Sequence, residues 1–240
     1  MEQVEGRNPV LEALKAGKEV DKIFLQKGAI GSVRQIIELA KNKGAVVVEA
    51  EKALLDKMSE GRPHQGVIAR LAIEEYADFD SLVEKAKANE HPLLIILDHL
   101  EDPHNFGAIL RTALAAGAQG VIIPKRRSVA LTPAVAKASA GATAHLPVAR
   151  VANLAQHVEL LKEQGFWVVG AEESGKIIYE TKQRGPLAVI FGNEGEGLSR
   201  LLKERCDELV SVPMLGPVSS LNVAVSCGVV LFEMVRQRRA

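Results

Sequence analysis

The sequence predicts an α/β protein with two domains, the second of which is built on a parallel sheet. Short apolar stretches alternate with amphipathic stretches along the chain, as they do where strands alternate with helices. A polar, acidic segment interrupts this alternation from Glu74 to Glu90. The 240 residues suffice for one large domain or two small ones. We therefore expect a smaller domain over residues 1–73, a linker over 74–90 and a larger domain over 91–240.

The first domain is predicted to be a compact α/β unit. Its second helix is indicated by apolar residues that recur every three or four positions, and its second strand by the run AVVVE. The first helix is expected to end at Gly17, because glycine commonly ends helices. In chain order we expect helix 8–17, strand 21–26, helix 32–43, strand 45–49, helix 53–58 and strand 66–72.

The second domain begins with PLLIILD, a continuous apolar run that is typical of a strand buried on both faces. Strands and helices then alternate, which predicts a parallel sheet with helices on both faces. The linker before it has a helical composition in its second half. The expected elements are strand 92–98, helix 107–116, strand 120–124, helix 133–139, strand 146–151, helix 152–164, strands 167–171, 187–192 and 209–212, and a helix from about residue 222.

The composition limits the partners that the protein can attract. Hydrophobic residues make up 47% of the chain and charged residues 25%, an ordinary globular mixture. The net charge is zero, so attraction to nucleic acid must come from local basic runs. One such run is 125–127, and another is formed by Arg236, Arg238 and Arg239. Each run is either solvated surface or a contact with nucleic acid.

The two cysteines and the N-terminal segment indicate a compartment. Cys206 and Cys227 have no paired spacing, which fits a reducing compartment and argues against a disulfide framework or a zinc site. MEQVEGRNPV lacks the apolar region of a signal peptide. No apolar run reaches the roughly 18 residues that a membrane helix needs. We therefore expect a soluble cytoplasmic protein.

The stretch DHLEDPHNFGAILRTALAAGA, residues 98–118, is a candidate site because it follows the first strand of the second domain. Ligands of open α/β sheets bind at the carboxyl ends of strands. Pro103 and Asn105 are expected to form the turn and the cap that start the helix. Arg111 is the only charged residue inside this helix, and two interpretations are open. It is either a solvated arginine or a cation aimed at a phosphate or a reacting oxygen.

The same stretch holds four residue types that bind metals: Asp98, His99, Asp102 and His104. A metal site needs side chains that converge, and this spacing matches no familiar metal motif. Turn and capping roles account for these residues. No metal site is predicted.

A second candidate, VIFGNEGEGLS at residues 189–199, runs from a predicted buried strand into three glycines. Glycine lets the backbone approach a ligand closely. The stretch resembles a phosphate-binding loop, but it lacks GxGxxG spacing and the Walker lysine, so no nucleotide-triphosphate site is expected. Glu196 is interpreted as a solvated loop residue. Glu194 lies where the strand ends and the backbone is most open, which makes it a candidate functional residue.

A third candidate stands at the head of the last apolar run, residues 223–232. Three polar side chains precede this run: Ser219, Ser220 and Asn222. A helix N-cap accounts for one of them. Three are more than a cap requires, and the segment is therefore a candidate site.

Together, the three stretches resemble the three motifs of the SpoU (TrmH) class of RNA ribose methyltransferases in the SPOUT superfamily. The first motif is NFGAILR at 105–111, the second is FGNEGEG at 191–197, and the third joins VPMLG at 212–216 to SLNVA at 220–224. The three in this order form a specific pattern. The first domain resembles the ribosomal-protein-L30e-like RNA-binding domain that precedes the catalytic domain of 23S rRNA guanosine 2′-O-methyltransferases. GRNPVLEAL and HQGVIA carry this second, less specific likeness.

The resemblance implies a fold, a reaction and partners. The catalytic domain would be a parallel sheet tied in a deep trefoil knot, a rare exception to the rule against threaded chains. The cofactor would be S-adenosylmethionine, bound within the knot. The reaction would be methylation of a ribose 2′-hydroxyl in RNA, with a guanosine of 23S rRNA as the expected target. The enzyme would be a homodimer with its active site near the subunit interface.

Matching the motifs residue by residue implies a set of site residues. The implied catalytic positions are Asn105, Arg111, Glu194, Ser220 and Asn222. The implied cofactor contacts, made largely by backbone, are Gly192, Val212, Met214 and Leu221. Two departures remove none of these groups: Ala224 replaces a common serine, and His145 replaces an expected acidic residue.

The resemblance makes Arg111 the key residue for the proton of the ribose hydroxyl. A guanidinium keeps its proton in nearly all proteins. Two roles therefore stay open: a base in an unusual environment, or a cation that stabilises the forming alkoxide with help from a phosphate or from Ser220. Glu194 is expected to fix Arg111 or the motif loops. Asn105 and Asn222 are expected to orient loops and the ribose.

The basic run of Lys125, Arg126 and Arg127 gains a function in this context. An RNA enzyme with zero net charge needs local cationic surface, so we interpret this run as an RNA contact. Two alternatives stay open within the family: a tRNA ribose methyltransferase and an rRNA methyltransferase that confers antibiotic resistance. A third alternative is a non-catalytic RNA-binding protein of the same fold.

Overall fold

The computed structural model describes residues 3–18, 20–29, 31, 33–71, 76–193 and 195–239. The chain divides into two compact units. The first unit comprises residues 1–75 and 130–133, and the second comprises residues 76–129 and 134–240. Each unit has its own sheet. The domain limits that the sequence predicts, at residues 73 and 91, stay predictions.

The first unit contains, in chain order, β1 (Gln3–Glu5), α1 (Arg7–Lys15), β2 (Val20–Gln26), α2 (Val33–Asn42), β3 (Val46–Ala50), α3 (Lys52–Ser59) and β4 (Val67–Leu71). The strands form a mixed sheet in the order β1-β4-β2-β3. β4 is antiparallel to both β1 and β2, and β3 is parallel to β2.

Each face of this sheet buries its own group of apolar side chains. On one face, Ile23 of β2 packs in a cluster with residues of α1 and α2. On the other face, Phe24 of β2 and Ile68 of β4 pack with Leu55 of α3. Neighbouring residues of a strand point to opposite faces, which explains this division. Because α3 has 8 residues, it spans about 12 Å and covers part of its face.

A buried histidine holds the turn before β4. The Nε2 of His64 lies 2.9 Å from Oδ1 of Asp56, and its Nδ1 accepts a hydrogen bond from the N–H of Gly66 at 3.0 Å. Gln65, between them, has a left-handed φ of 51°, which is uncommon for a residue with a side chain. The HQG sequence that resembles the RNA-binding domain therefore shapes the entry to β4.

The second unit contains α4 (Phe79–Lys87), β5 (Leu93–Leu97), α5 (Pro103–Ala115), β6 (Gly120–Pro124), α6 (Pro133–Ala138), β7 (Val148–Val151), α7 (Leu154–Glu163), β8 (Trp167–Ile177), β9 (Leu187–Phe191), α8 (Arg200–Arg205), β10 (Glu208–Ser211) and α9 (Val223–Arg239). Its six strands form a sheet in the order β10-β8-β9-β5-β6-β7. Every pair in this sheet is parallel, as predicted.

The predicted linker contributes a helix to the core of the second unit. Leu82, Val83 and Ala86 of α4 are buried in a cluster with α7, α8 and strands of the parallel sheet. Asp78 caps α4 by accepting a hydrogen bond from the N–H of Ser81 at 3.0 Å. The part of the linker from residue 79 to 87 is therefore packed structure, and residues 74 and 75 lie outside the described residues.

The last turn of α9 is anchored to the start of two strands. Arg238 donates hydrogen bonds to the carbonyls of His91 (3.3 Å), Pro92 (3.0 Å) and Gly185 (2.9 Å). These residues precede β5 and β9. In the part of the chain that the structure describes, no helix has both the length and the apolar character to cross a membrane.

Candidate active site

The three candidate stretches meet at the carboxyl edge of the parallel sheet. β5, β9 and β10 end at Leu97, Phe191 and Ser211. Because all strands of this sheet run in the same direction, the segments that follow them emerge at one edge. The first stretch leads into α5, the second forms a glycine loop, and the third leads into α9.

Asp102 starts α5, rather than the predicted Asn105. The carboxylate of Asp102 accepts hydrogen bonds from the N–H groups of His104 and Asn105, each at 3.2 Å. Pro103 occupies the first turn, where its missing N–H costs nothing. The helix therefore begins four residues before the predicted Gly107, and Asn105 lies inside its first turn.

Asn105 and Asn222 join the first and third stretches directly. The Nδ2 of Asn222 donates a hydrogen bond to Oδ1 of Asn105 at 3.0 Å across a separation of 117 residues. The Oδ1 of Asn222 also accepts hydrogen bonds from the N–H groups of Ala224 (3.0 Å) and Val225 (3.3 Å), so it caps α9. One side chain therefore starts α9 and connects it to α5.

The glycine loop after β9 needs glycine at its first position. A Cβ on Gly192 would lie 2.2 Å from the backbone carbonyl group of Gly197, far inside contact distance. Asn193 and Gly197 exchange two backbone hydrogen bonds of 2.9 and 3.1 Å, which fold the loop back on itself. The side chain of Asn193 accepts from the N–H of Gly195 and donates to the carbonyl of His99. Glu194, a predicted catalytic residue, lies outside the described residues.

Two carboxylates, one buried and one partly exposed, hold the end of this loop. Asp98, 1% exposed, accepts a hydrogen bond from the N–H of Ser199 at 2.8 Å. Glu172 accepts from the N–H of Leu198 at 3.3 Å and forms an ion pair with Lys203 at 2.9 Å. The loop is therefore fastened to both β5 and β8. Asp98 therefore holds the loop and Asp102 caps α5. These roles account for the two acidic residues that were considered above as metal ligands.

A pocket of about 480 Å³ opens beside the loop. This volume is in the range of small-molecule sites. The four predicted cofactor contacts and one predicted catalytic residue line it: Gly192, Val212, Met214, Leu221 and Ser220. The walls also include the middle of β8, at residues 171–173, and, from α9, Val223, Ser226 and Val230.

The charge on the walls of the pocket is negative. Glu172, Glu173 and Glu196 line it, whereas no lysine, arginine or histidine does so among the described residues. Glu172 is paired with Lys203, while Glu173 and Glu196 are exposed. A site with this lining favours a ligand that carries positive charge.

The predicted cations lie outside the pocket. Arg111 is on α5 and is exposed, and no hydrogen bond or ion pair joins it to another described residue. Lys125, Arg126 and Arg127 follow β6, beyond β5 in the strand order. Arg126 and Arg127 are exposed, and the carbonyl of Lys125 accepts a hydrogen bond from Arg150. Within one chain, the structure brings the cofactor positions together but not the cations.

The sequence analysis missed the two acidic residues that follow the buried part of β8. Glu172 and Glu173 come directly after WVVGA, the apolar run that was predicted as a strand. Because β8 belongs to the same parallel sheet, its polar residues at this point lie at the carboxyl edge. An acidic pair directly behind an apolar strand could have identified them.

The two cysteines do not take part in this site. Burial, the largest effect, raises the pKa of Cys206 to about 12. Burial also raises the pKa of Cys227. Both thiols therefore stay protonated at neutral pH, and neither is an activated nucleophile.

Comparison with known proteins places both parts of the chain. Residues 92–232 match the SpoU rRNA Methylase family, and residues 3–77 match a family described as RNA 2′-O ribose methyltransferase substrate binding. YacO of Bacillus subtilis (strain 168), assigned to the TrmH family of tRNA/rRNA methyltransferases, is 47% identical over 236 residues. The match covers 97% of this chain and 94% of YacO.

Two solved structures of similar fold contain S-adenosylmethionine (AdoMet). The SpoU methyltransferase AviRb from Streptomyces viridochromogenes, in complex with AdoMet, is 26% identical with a TM-score of 0.62. The match covers 98% of this chain and 89% of that one. An AdoMet-bound rRNA methyltransferase from Sinorhizobium meliloti is 25% identical with a TM-score of 0.61, and the match covers 98% and 86% of the two chains.

Proposed function

This chain belongs to the SpoU rRNA Methylase family, and we propose that it methylates a ribose 2′-hydroxyl of RNA with S-adenosylmethionine as the donor. The observation that carries the proposal is the pocket, because all four implied cofactor positions line it. Asn105 and Asn222 lie at the joint between α5 and α9 beside it. These segments are far apart in sequence and meet at the edge of the sheet where ligands bind.

The pocket suits this cofactor in shape and in charge. Bound S-adenosylmethionine supplies a methyl group on a positively charged sulfonium. The exposed carboxylates of Glu173 and Glu196 complement that charge, whereas the carboxylate of Glu172 is already paired with Lys203. Gly192 packs closely on Gly197, and both glycines line the pocket. We propose that this backbone, with Val212, Met214 and Leu221, holds the cofactor.

Arg111 is proposed to act on the acceptor side as a fixed cation. A ribose hydroxyl attacks well only as it loses its proton, and negative charge then develops on its oxygen. A guanidinium close to that oxygen stabilises the charge without giving up a proton. Ser220, at the rim of the pocket, can hydrogen bond to the same oxygen or pass on its proton. The exposed Arg126 and Arg127, together with the partly exposed Lys125, are proposed to bind phosphates of the RNA.

We propose that two copies of the chain complete the site. Val225 and Phe232 are seven residues apart and therefore lie on the same face of α9. Their side chains are 51% and 50% exposed. In the loop before α9, Leu215 and Val218 are 98% and 58% exposed. Burial of such side chains favours association. A homodimer through this surface fits the position of Arg111 on the outside of the same unit. The trefoil knot and the cytoplasmic location likewise stay predictions.

A guanosine of 23S rRNA is the proposed target. The match of residues 3–77 to a substrate-binding family supports an RNA that contacts the first unit as well as the catalytic site. The assignment of YacO to tRNA/rRNA methyltransferases supports tRNA as the second candidate. The motifs act on the ribose and the methyl group, so they do not distinguish these two substrates.

Transfer of a tritiated methyl group tests the proposal. Purified protein is incubated with labelled S-adenosylmethionine and either deproteinised bulk 23S rRNA or bulk tRNA. We expect label in 23S rRNA, released as 2′-O-methylguanosine on digestion to nucleosides. Label in tRNA alone would move the target to tRNA. Label in neither RNA would leave a non-catalytic RNA-binding protein, and label on a base would refute ribose methylation.

A further inference from the structure

One face of the first sheet is only partly covered by α3, and the uncovered part carries a mainly polar row of side chains. Strand register places Gln3, Arg70, Lys22 and Val46 side by side across β1, β4, β2 and β3. The next row on the same face, which contains Ile68 and Phe24, is buried under α3. Lys22 and Arg70 are both partly exposed. A basic pair therefore stands at the open end of this face.

Lys22 and Arg70 are directly opposite each other in the antiparallel pair of β2 and β4. Like charges in this arrangement repel each other and destabilise a sheet. No ion pair joins either cation to another described residue. Glu5, one row further along this face, is already held by Arg62 at 2.9 Å and by Gln3 at 2.6 Å. The repulsion between the two cations is thus not offset by a neighbouring carboxylate of that face.

The guanidinium of Arg70 lies against an aromatic ring, but one of its N–H donors has no acceptor among the described residues. Its Cζ lies 5.0 Å from the centre of the Phe24 ring, so the aromatic side chain supports the cation. The Nε of Arg70 is buried and, within the described part of the chain, has no hydrogen-bond partner. A buried N–H without an acceptor is costly. An arginine beside a ring, partly exposed and with donors at its terminal nitrogens, is suited to a planar or tetrahedral oxyanion.

We propose that Lys22 and Arg70 bind phosphates of the substrate RNA. This inference rests on the proposed function, since it assumes that the first unit contacts RNA. A phosphate would remove the repulsion between the two cations and provide acceptors for the arginine. Such a contact does not depend on the bases, so it positions the RNA rather than selecting a sequence.

The test measures RNA binding by the full chain without cofactor, as a function of salt. The variant Lys22→Gln with Arg70→Gln removes the pair. The control, Arg34→Gln with Lys41→Gln, removes one arginine and one lysine from exposed positions of α2. That helix packs on the opposite face of the same sheet. Bulk 23S rRNA and bulk tRNA are both measured, and the variants are compared on the RNA that the unchanged protein binds more tightly.

We expect the pair variant to bind RNA about fivefold more weakly at 0.1 M salt for each phosphate contact that is lost. The slope of log affinity against log salt should become shallower by about 0.7 to 0.9 for each contact. The control should keep the affinity and the slope of the unchanged protein. Equal loss in both variants would show a general charge effect and overturn the proposal, and so would no loss in the pair variant or no RNA binding at all.

A single variant separates binding from folding. Lys22→Gln removes the repulsion and leaves the stack of Arg70 on Phe24 intact, so its Tm should equal or exceed that of the unchanged protein. It should still bind RNA more weakly. A normal Tm with normal RNA binding would refute the role of Lys22. Methyl transfer by the unchanged protein is scored separately, so a catalytically inactive protein that shows the salt effect would refute only the proposed reaction.

Discussion

The pocket and the surface that carries Arg111 differ in the number of contacts within the chain that hold their residues in place. The pocket side is fastened by contacts within the chain: Asn193 folds the glycine loop, and Asp98 and Glu172 bind its far end. Arg111, Arg126 and Arg127 are exposed, and Arg111 has no partner among the described residues. The pocket is thus held together by contacts within the chain. Arg111 has no such contact among the described residues, and RNA and a second copy of the chain are proposed to provide its partners.

This difference teaches which substitutions should affect which step. A change on the pocket side should weaken cofactor binding, because the loop is held by a few specific contacts. A change to an exposed cation should leave cofactor binding intact and lower the rate of transfer, because its partner is present only in the complex with RNA.

The largest effect is expected at Gly192. Gly192→Ala places a methyl group 2.2 Å from the backbone of Gly197, so the loop must move. We expect S-adenosylmethionine to bind at least about 100-fold more weakly, measured by calorimetry. Gly195→Ala is the matched control, because its added Cβ meets only the Asn193 side chain at an ordinary 3.7 Å. Normal binding by Gly192→Ala would show that the cofactor does not use this loop.

The next effect tests the acceptor side. Arg111→Lys keeps the positive charge but loses the planar fork of donors, and we expect kcat to fall about 100-fold while the Kd of S-adenosylmethionine is unchanged. Arg200→Lys, an exposed arginine paired with Glu204, is the control and should be fully active. Near-full activity of Arg111→Lys would refute a role for the guanidinium.

Asn222 joins the two sides, and two substitutions separate its two contacts. Asn222→Asp keeps an oxygen to cap α9 but loses the donor to Asn105, so the Tm should hold while methyl transfer falls about tenfold. Asn222→Ala loses both contacts and should also destabilise the protein by about 1 kcal/mol. Thermal melts and initial rates measure the two effects. Full activity of both variants would reduce Asn222 to a helix cap.

The smallest effect is expected at Glu172. Glu172→Gln keeps an acceptor for the N–H of Leu198 and loses the ion pair with Lys203, so the KM for S-adenosylmethionine should rise by about threefold or less. Glu172→Met loses both and should raise the KM by about tenfold. Steady-state kinetics at saturating RNA gives these values. A larger effect of the Gln variant would mean that the negative charge itself binds the cofactor.

The sequence predicted the strands of the parallel sheet well because each is a short apolar run between polar segments. It failed where an element depends on a distant partner. The second half of β8 forms because Lys176 and Ile177 pair with Val210 and Ser211 of β10, and its polar sequence gives no indication of a strand. β1 likewise forms by pairing with β4. The six-residue α8 is too short to show a helical period.

The sequence predicted which residues belong to the candidate site, but it did not predict the contacts between them. Every described position that the resemblance implied for the cofactor lines the pocket. The bond between Asn105 and Asn222 joins residues 117 apart, and the clamp of Glu172 on the glycine loop joins residues 26 apart. Such pairs depend on strand order, which local periodicity does not encode. The sequence also gave no reason to expect Arg111 outside the pocket.

The contacts of Arg238 with residues far earlier in the chain bear on the order in which parts of the protein can fold during synthesis. Its guanidinium binds carbonyls that precede β5 and β9, one of them 147 residues earlier in the chain. The strands of the first sheet all lie within residues 3–71 and can pair while later residues are still being translated. The wall of the pocket that α9 supplies cannot form until residues 223–239 have been synthesised and have left the ribosome. A nascent chain can therefore carry a folded first unit well before it can bind a cofactor.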